Sequence, residues 1–155
     1  MIQKDYILRM IEQLGKVFAR VLLKRNAQKH EEATLDIEKA SGEILGIDFS
    51  LFDTLSSPAI AELLGISIDP STGSMKCLIA GRLLKEKADI LKLSGKDSAS
   101  IIQYYQKALY LYLKGMLCLG YTELDLTEWR NDIRMIADIL GDSISGDLMI
   151  MMRRL

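Results

Sequence analysis

The amino-acid sequence predicts an all-α fold built as one domain. Apolar residues recur at helical spacings of three and four positions through most of the chain, and no stretch is a convincing β-strand. Hydrophobic residues make up 49% of the 155 residues and charged residues 26%, a composition that can bury a core and argues against intrinsic disorder. We therefore expect residues 1–155 to form a single α-helical domain.

The first part of the chain predicts an antiparallel helical hairpin. The first helix has apolar residues at the three-then-four spacing of an amphipathic helix, namely Ile7, Met10, Ile11, Leu14, Val17, Phe18, Val21 and Leu22. The polar residues 26–29 break this pattern. A second helix then carries Ala33, Ile37 and Ala40 on one face, and we expect it to close near Gly46.

Two short helices and a turn are predicted next. Asp48 can cap a short helix that runs through Thr54, and Ser57 followed by Pro58 is a good start for another, because proline is tolerated in the first turn. Residues 69–73 hold the densest cluster of turn-forming residues in the chain. We interpret them as a connection inside one domain that separates its two halves.

Four helices are predicted in the second half. The first spans about 74–93 and the second about 97–119, stopping at Gly120. The helix 97–119 is apolar around much of its circumference, so we expect it to lie between layers. A third helix capped at Asp125 or Thr127 follows, and a last short helix is predicted after Gly141.

An internal repeat is the strongest organisational signal. A shift of the chain by 68 residues aligns 22–24 with 90–92 and 36–40 with 104–108, and 68 is twice the 34-residue period of the tetratricopeptide repeat. The first helices lack the Trp, Gly and Tyr of a regular repeat. The resemblance therefore implies tetratricopeptide-like helical hairpins, with halves at about 1–65 and 74–155, completed by short connecting and C-terminal capping helices.

A second resemblance rests on the run 3–15, QKDYILRMIEQLG, with LGID at 45–48 and LS at 55–56. These residues resemble a family of uncharacterised proteins from Gram-positive bacteria that are small, all-helical and tetratricopeptide-like. The similarity extends over most of the chain and is weakest between residues 65 and 73. It implies the fold and a bacterial cytoplasmic origin, and it carries no known activity.

Charge and hydropathy indicate which partners to expect. Twenty basic and twenty-one acidic residues give a net charge of -1, which provides no overall attraction to nucleic acid or to an anionic membrane. The most apolar stretch, 108–119, is too short to span a bilayer, and no secretory signal precedes it. Cys77 and Cys118 lack metal-ligand spacing, so we interpret them as reduced core thiols. A cytoplasmic protein is expected.

No catalytic, cofactor or metal site is predicted. His30 is the one histidine, and its neighbours Glu31 and Glu32 point away from it on a helix, so we expect it to fill a position at the helix start. Residues 71–76 resemble a phosphate cradle at a helix start, yet they lack the glycine and lysine pattern of a P-loop. The carboxylates show no spacing that selects an acid/base pair. We therefore expect a protein that is not an enzyme.

The candidate partner-binding residues are Tyr110 and Leu117, which lie on the polar side of the helix 97–119. Either the C-terminal helices around Trp129 and Ile133 cover this tyrosine, or the two residues form an exposed anchor for a partner or a second subunit. The tail 149–155 is equally open to two interpretations, an adaptable binding surface or a packed cap.

The sequence thus favours a protein interaction or scaffold module whose partner is a protein or peptide, with a homo-oligomer compatible with the same residues. The alternative is a small regulatory domain that binds a peptide or a small ligand in a helical groove.

Overall fold

The protein was described from a computed structural model that covers residues 2–96, 98–119 and 125–155, without the side chains of Ile2, Gln3 and Ser98. It is 83% helical, and the described residues contain no strand, which confirms the all-α prediction. The predicted start of a helix at Asp97 and its stop at Gly120 lie outside these residues.

Helices α1 (Ile2–Asn26) and α2 (His30–Ala40) form the first hairpin. The turn between them places Gln28 in the left-handed region at φ 60°. After Ala40 the chain continues as a π-helical turn, Ser41–Leu45, and ends at Gly46, whose φ of 72° favours glycine. The predicted closure near Gly46 is therefore confirmed.

The short helices α3 (Leu51–Thr54) and α4 (Ser57–Leu63) follow as expected. The carboxylate of Asp48 accepts hydrogen bonds from the backbone and the hydroxyl of Ser50, which orders the entry to α3. In α4, the hydroxyl of Ser56 accepts a hydrogen bond from the backbone N–H of Ala59. The capping residue is thus one position before the predicted start.

Helix α5 (Pro70–Leu93) begins earlier than predicted. The turn-forming residues 69–73 were expected to connect the two halves, but 70–73 are its first turn. Asp69 is the N-cap and accepts a hydrogen bond from the N–H of Thr72 at 3.4 Å, while Pro70 takes the first position. Gly73 allows this turn to pack on Gly65, because a Cβ there would lie 2.7 Å from the backbone of Gly65. The residue types that cap a helix also form turns, so the sequence does not distinguish the two structures here, and the packing of this segment does.

Helix α6 (Ser98–Leu119) lies between layers, as its apolar circumference predicted. It packs against α4, α5, α7 and α8. Two glycines allow the close contact with α5, since a Cβ on Gly81 would lie 3.1 Å from the carbonyl oxygen of Ala108, and one on Gly115 would lie 2.7 Å from that of Ser74.

The chain ends with α7 (Thr127–Leu140) and α8 (Gly146–Arg153), joined by a 3₁₀ turn at Gly141–Ser143. The N-cap of α7 is Leu126, between the two predicted capping residues, and the carboxylate of Asp125 accepts a hydrogen bond from the N–H of Thr127 at 3.0 Å. The hydroxyl of Ser145 accepts from the N–H of Leu148 and caps α8.

Helices α1, α5 and α7 run parallel, with α5 in the middle. Three contacts join α5 to α1. Met75 shares a cavity with Ile11, Arg82 lies on the ring of Phe18, and Glu86 pairs with Arg25. Because the residue numbers rise together on both helices, the two helices run in the same direction. On the other side, Met75 shares the cavity with Leu126 and Trp129, and Arg82 pairs with Asp132. This arrangement leaves a groove between α1 and α7 with α5 as its floor.

Candidate functional site

The candidate anchor residues Tyr110 and Leu117 are both half-buried on α6. Burial raises the pKa of the Tyr110 phenol. Helix α4 packs against α6, the helix that carries this residue. Trp129 instead packs edge-on against Tyr112, with ring centroids 6.0 Å apart. The anchor hypothesis for Tyr110 and Leu117 stays a prediction.

The other residues considered from sequence have structural neighbours. His30 begins α2, with Nδ1 2.9 Å from the hydroxyl of Ser94 at the end of α5. Asp36 pairs with Lys24 at 2.6 Å, and Asp53 accepts a hydrogen bond from Tyr104 at 2.6 Å. Within the described ranges, no three His, Cys, Asp or Glu side chains converge to hold a metal ion.

The two cysteines differ in burial, so the prediction that both are core thiols is wrong for one of them. Cys77 is buried in α5 as expected, and burial raises the pKa of its thiol to about 12. Cys118, predicted to be a core thiol, is exposed. It lies in the last turn of α6, one residue before the described part of that helix ends. The apolar sequence around it suggested burial, but burial depends on which helix packs over that turn.

The α1–α7 groove has apolar walls and a charged floor, with a volume of about 460 Å³. Helix α1 lines it with Leu8, Ile11, Leu14, Gly15 and Phe18. The opposite wall consists of Leu126 and Trp129, and Met75 and Arg82 of α5 form the floor. Asp125 and Glu128 stand at the rim. Cavities of roughly 300–1,000 Å³ with apolar walls and few polar groups are typical of binding sites.

Two stripes on α1 explain why the groove exists. Ile7, Met10, Leu14, Val17 and Val21 face the core, each less than a tenth exposed. The residues next to them, Leu8, Ile11, Gly15, Phe18 and Leu22, repeat the same spacing about 100° further round the helix, and Leu8 and Leu22 are 45% and 52% exposed. The helix therefore has more apolar surface than its own domain covers.

The floor of the groove is held by a chain of charged side chains. The guanidinium of Arg82 donates to Asp132 at 2.8 Å and lies 3.3 Å from Glu86, and Glu86 accepts from Arg25 at 2.8 Å. The hydroxyl of Tyr112 also donates to Asp132, at 2.8 Å. This network connects α1, α5, α6 and α7, so the groove is built on a fixed base.

The ionisation of the floor follows from this network. Burial alone would lower the pKa of Arg82, but Tyr112, Asp132 and Glu86 raise it, and the net shift is upward. Burial raises the pKa of Tyr112 well above its usual value, and the Asp132 carboxylate adds to the increase. Arg82 is thus charged and Tyr112 neutral at physiological pH.

Two further cavities are weaker candidates. One of about 600 Å³ lies beside the π-helical turn, but its lining residues Glu38 and Asp53 are already bonded to Lys87 and Tyr104. Another of about 440 Å³ lies beside α8 and includes Met149, Met152 and Arg153.

Sequence reasoning missed the groove because it placed Ile11, Phe18 and Leu22 in the same amphipathic stripe as the core residues and did not consider Leu8. The signal was present in the width of the apolar arc, since Leu8, Ile11, Phe18 and Leu22 lie about 100° from the core stripe. An apolar arc this wide indicates a second contact surface. No sequence signal showed that α7 would form the opposite wall.

Comparisons with known proteins add no assignment: no family model, no curated protein and no solved structure matches the chain. Within the described part of the chain, none of the helices is both long and apolar enough to cross a membrane. The class that the fold and site define is therefore an all-α protein with an apolar groove between parallel helices.

Proposed function

We propose that the protein is a non-catalytic interaction or scaffold module of the cytoplasm and that the α1–α7 groove binds an amphipathic helix of its partner. The observation that carries the proposal is the groove itself, which has apolar walls along two parallel helices and acidic residues at its rim. A helix placed in such a groove inserts apolar side chains spaced three or four residues apart. Basic residues beside them would meet Asp125 and Glu128.

Tetratricopeptide-like hairpins are part of the same proposal. Helices α1 and α2 pack against one another, and so do α5 and α6, the corresponding pair in the 68-residue shift. Equivalent small residues of the repeat, Ala40 and Ala108, are both fully buried. These two agreements support a duplicated hairpin, an architecture suited to forming extended binding surfaces.

Gly15 offers a direct test of the groove. A Cβ on this residue would have no heavy atom within 4 Å, so a larger side chain can project into the groove without a clash. Gly15→Leu should preserve folding, because leucine has the higher helix propensity. Arg20→Leu, on an exposed position of the same helix, is the matched control.

The experiment selects helical peptides of about four turns from a displayed library on the wild-type protein and measures their affinity by calorimetry. We expect the selected peptides to share apolar residues at helical spacing with flanking Lys or Arg, to lose at least about tenfold in affinity for Gly15→Leu, and to keep it for Arg20→Leu. Peptides that bind both variants equally would contradict the proposal, and so would a library that yields no binder to wild-type protein that is monomeric at the concentration used.

The alternative function is a small regulatory domain that binds a small ligand or peptide in this groove. Its volume suits a small molecule, and the Phe18 ring and the Arg82 guanidinium would offer it an aromatic and a charged contact. A small-molecule library screened by thermal shift, in which hits stabilise Arg20→Leu and not Gly15→Leu, would favour this function.

A further inference from the structure

A second exposed apolar surface lies at the opposite end of α7 from the groove. Met135 and Ile139 on α7 are 51% and 39% exposed, and Met149 and Ile150 on α8 are 46% and 51% exposed. Met135 and Ile139 continue the stripe of α7 that contains Glu128 and Asp132. The four residues follow one another at spacings of four, three and four positions, which places them on one face of the helix. Met135 and Ile139 therefore lie on the groove side of α7, and α8 carries further exposed apolar side chains beyond the end of α7.

The exposed face of α8 combines apolar and basic side chains. Met149, Ile150 and Arg153 share one helix face by their spacing, and Arg154 follows. Both arginines are exposed, and neither forms an ion pair within 4 Å among the described residues. This face is short, amphipathic and positively charged at one end.

The groove has the complementary character. Its walls are apolar, and its rim residues Asp125 and Glu128 are exposed carboxylates. Glu128 likewise has no ion-pair partner within 4 Å in the described part of the chain. Apolar side chains of α8 would fill the groove, while Arg153 and Arg154 would meet the two carboxylates.

We propose that the occupant of the α1–α7 groove is α8 of a second copy of this chain, in a reciprocal, two-fold symmetric dimer. The groove lies at the N-terminal end of α7, whereas α8 follows its C-terminal end. Helix α7 has 14 residues and is therefore about 21 Å long. A two-fold axis near Met135 pairs two antiparallel copies of α7 and brings each α8 to the partner's groove.

This inference rests on the proposed function, since it names the groove's partner. Its test is the mass of the full-length protein by sedimentation equilibrium across micromolar concentrations. We expect the wild type to approach twice the 17.4 kDa of one chain and to dissociate more readily at high salt.

Charge reversal locates the contact. The double variant Arg153→Glu with Arg154→Glu reverses the charge at the end of α8. The double variant Asp125→Lys with Glu128→Lys reverses the charge at the rim of the groove. Each double variant should weaken dimerisation at least about tenfold, whereas the two mixed together should form a heterodimer of near wild-type affinity, because both contacts are then complementary. Arg130→Glu with Arg134→Glu, exposed on another side of α7, makes the same charge change as the α8 variant and should leave dimerisation unchanged.

A wild-type protein that stays monomeric would overturn this inference. A dimer whose dissociation constant is the same in the wild type and in both charge-reversed variants would also overturn it. Circular dichroism of each variant confirms that it is folded before its mass is measured. Peptide binding to the wild type and to Gly15→Leu then remains the test of the proposed function. A monomer that binds peptides in its groove would refute the dimer and would leave the proposed function standing.

Discussion

The guanidinium carbon of Arg82 lies 4.7 Å from the centroid of the Phe18 ring, in a cation–π contact that joins α5 to α1. The same guanidinium donates to Asp132 on α7. Arg82 therefore sets the distance between the two walls of the α1–α7 groove. Because its charge is balanced by Asp132 and Glu86, the floor can be buried without an isolated charge.

Asp132→Ala should destabilise the fold. This change removes the acceptor shared by Arg82 and Tyr112, leaving a partly buried guanidinium with fewer partners and a buried hydroxyl without one. We expect the free energy of unfolding in urea to fall by about 3 kcal/mol. Asp138→Ala, on an exposed position of the same helix, is the control and should change it by less than about 0.5 kcal/mol. Equal effects of the two variants would show that the network does not stabilise the protein.

Stability should decrease above about pH 9. Burial raises the pKa of Cys77 to about 12, and burial with the Asp132 carboxylate raises that of Tyr112. The unfolded chain releases these protons near the ordinary values of about 9 and 10, while the folded protein keeps them, so rising pH favours the unfolded state. Each group contributes up to about 1.4 kcal/mol per pH unit above its ordinary pKa.

Urea unfolding at pH 8, 9, 10 and 11 measures this dependence. Tyr112→Phe should make the decline shallower, whereas Tyr6→Phe, which changes an exposed tyrosine, should leave the slope as in the wild type. A slope that Tyr112→Phe does not change would contradict the assignment.

Two glycine substitutions should have opposite effects. Gly115→Ala places a Cβ 2.7 Å from the carbonyl oxygen of Ser74, so α5 and α6 must move apart, and we expect a loss of about 2 kcal/mol. Gly15→Ala meets no atom within 4 Å in the middle of α1, and should stabilise by about 0.5–1 kcal/mol. Thermal or urea unfolding of the pair measures both. A neutral Gly115→Ala would mean that the helices do not approach so closely.

Tyr110→Ala should affect folding more than association. Its ring is half-buried on α6 and does not line the groove, so we expect a loss of about 2 kcal/mol in stability and an unchanged dimerisation constant. Leu117→Ala should behave in the same way with a smaller loss. Weaker association with unchanged unfolding would instead support the sequence hypothesis that Tyr110 and Leu117 form an anchor.

Much of the local structure could be predicted from the sequence. The spacing of Ile7, Met10 and Leu14 determines an amphipathic helix, and Gly46 and Gly141 end helices where the backbone adopts positive φ. These features depend on residues within a few positions of one another. The start of α5 was missed because Asp69 and Pro70 suit a loop as well as a helix cap, and the packing of Gly73 on Gly65 selects the cap.

The sequence alone thus determined an all-α chain with an excess of apolar surface on α1, because periodicity is a property of neighbouring residues. Only the tertiary structure decided where that surface lies. Arg82 and Asp132 are 50 residues apart, and Phe18 and Trp129 lie near opposite ends of the chain, yet α5 brings all four to one groove. Such contacts depend on how helices pack against a shared neighbour, and no local pattern encodes which faces will meet.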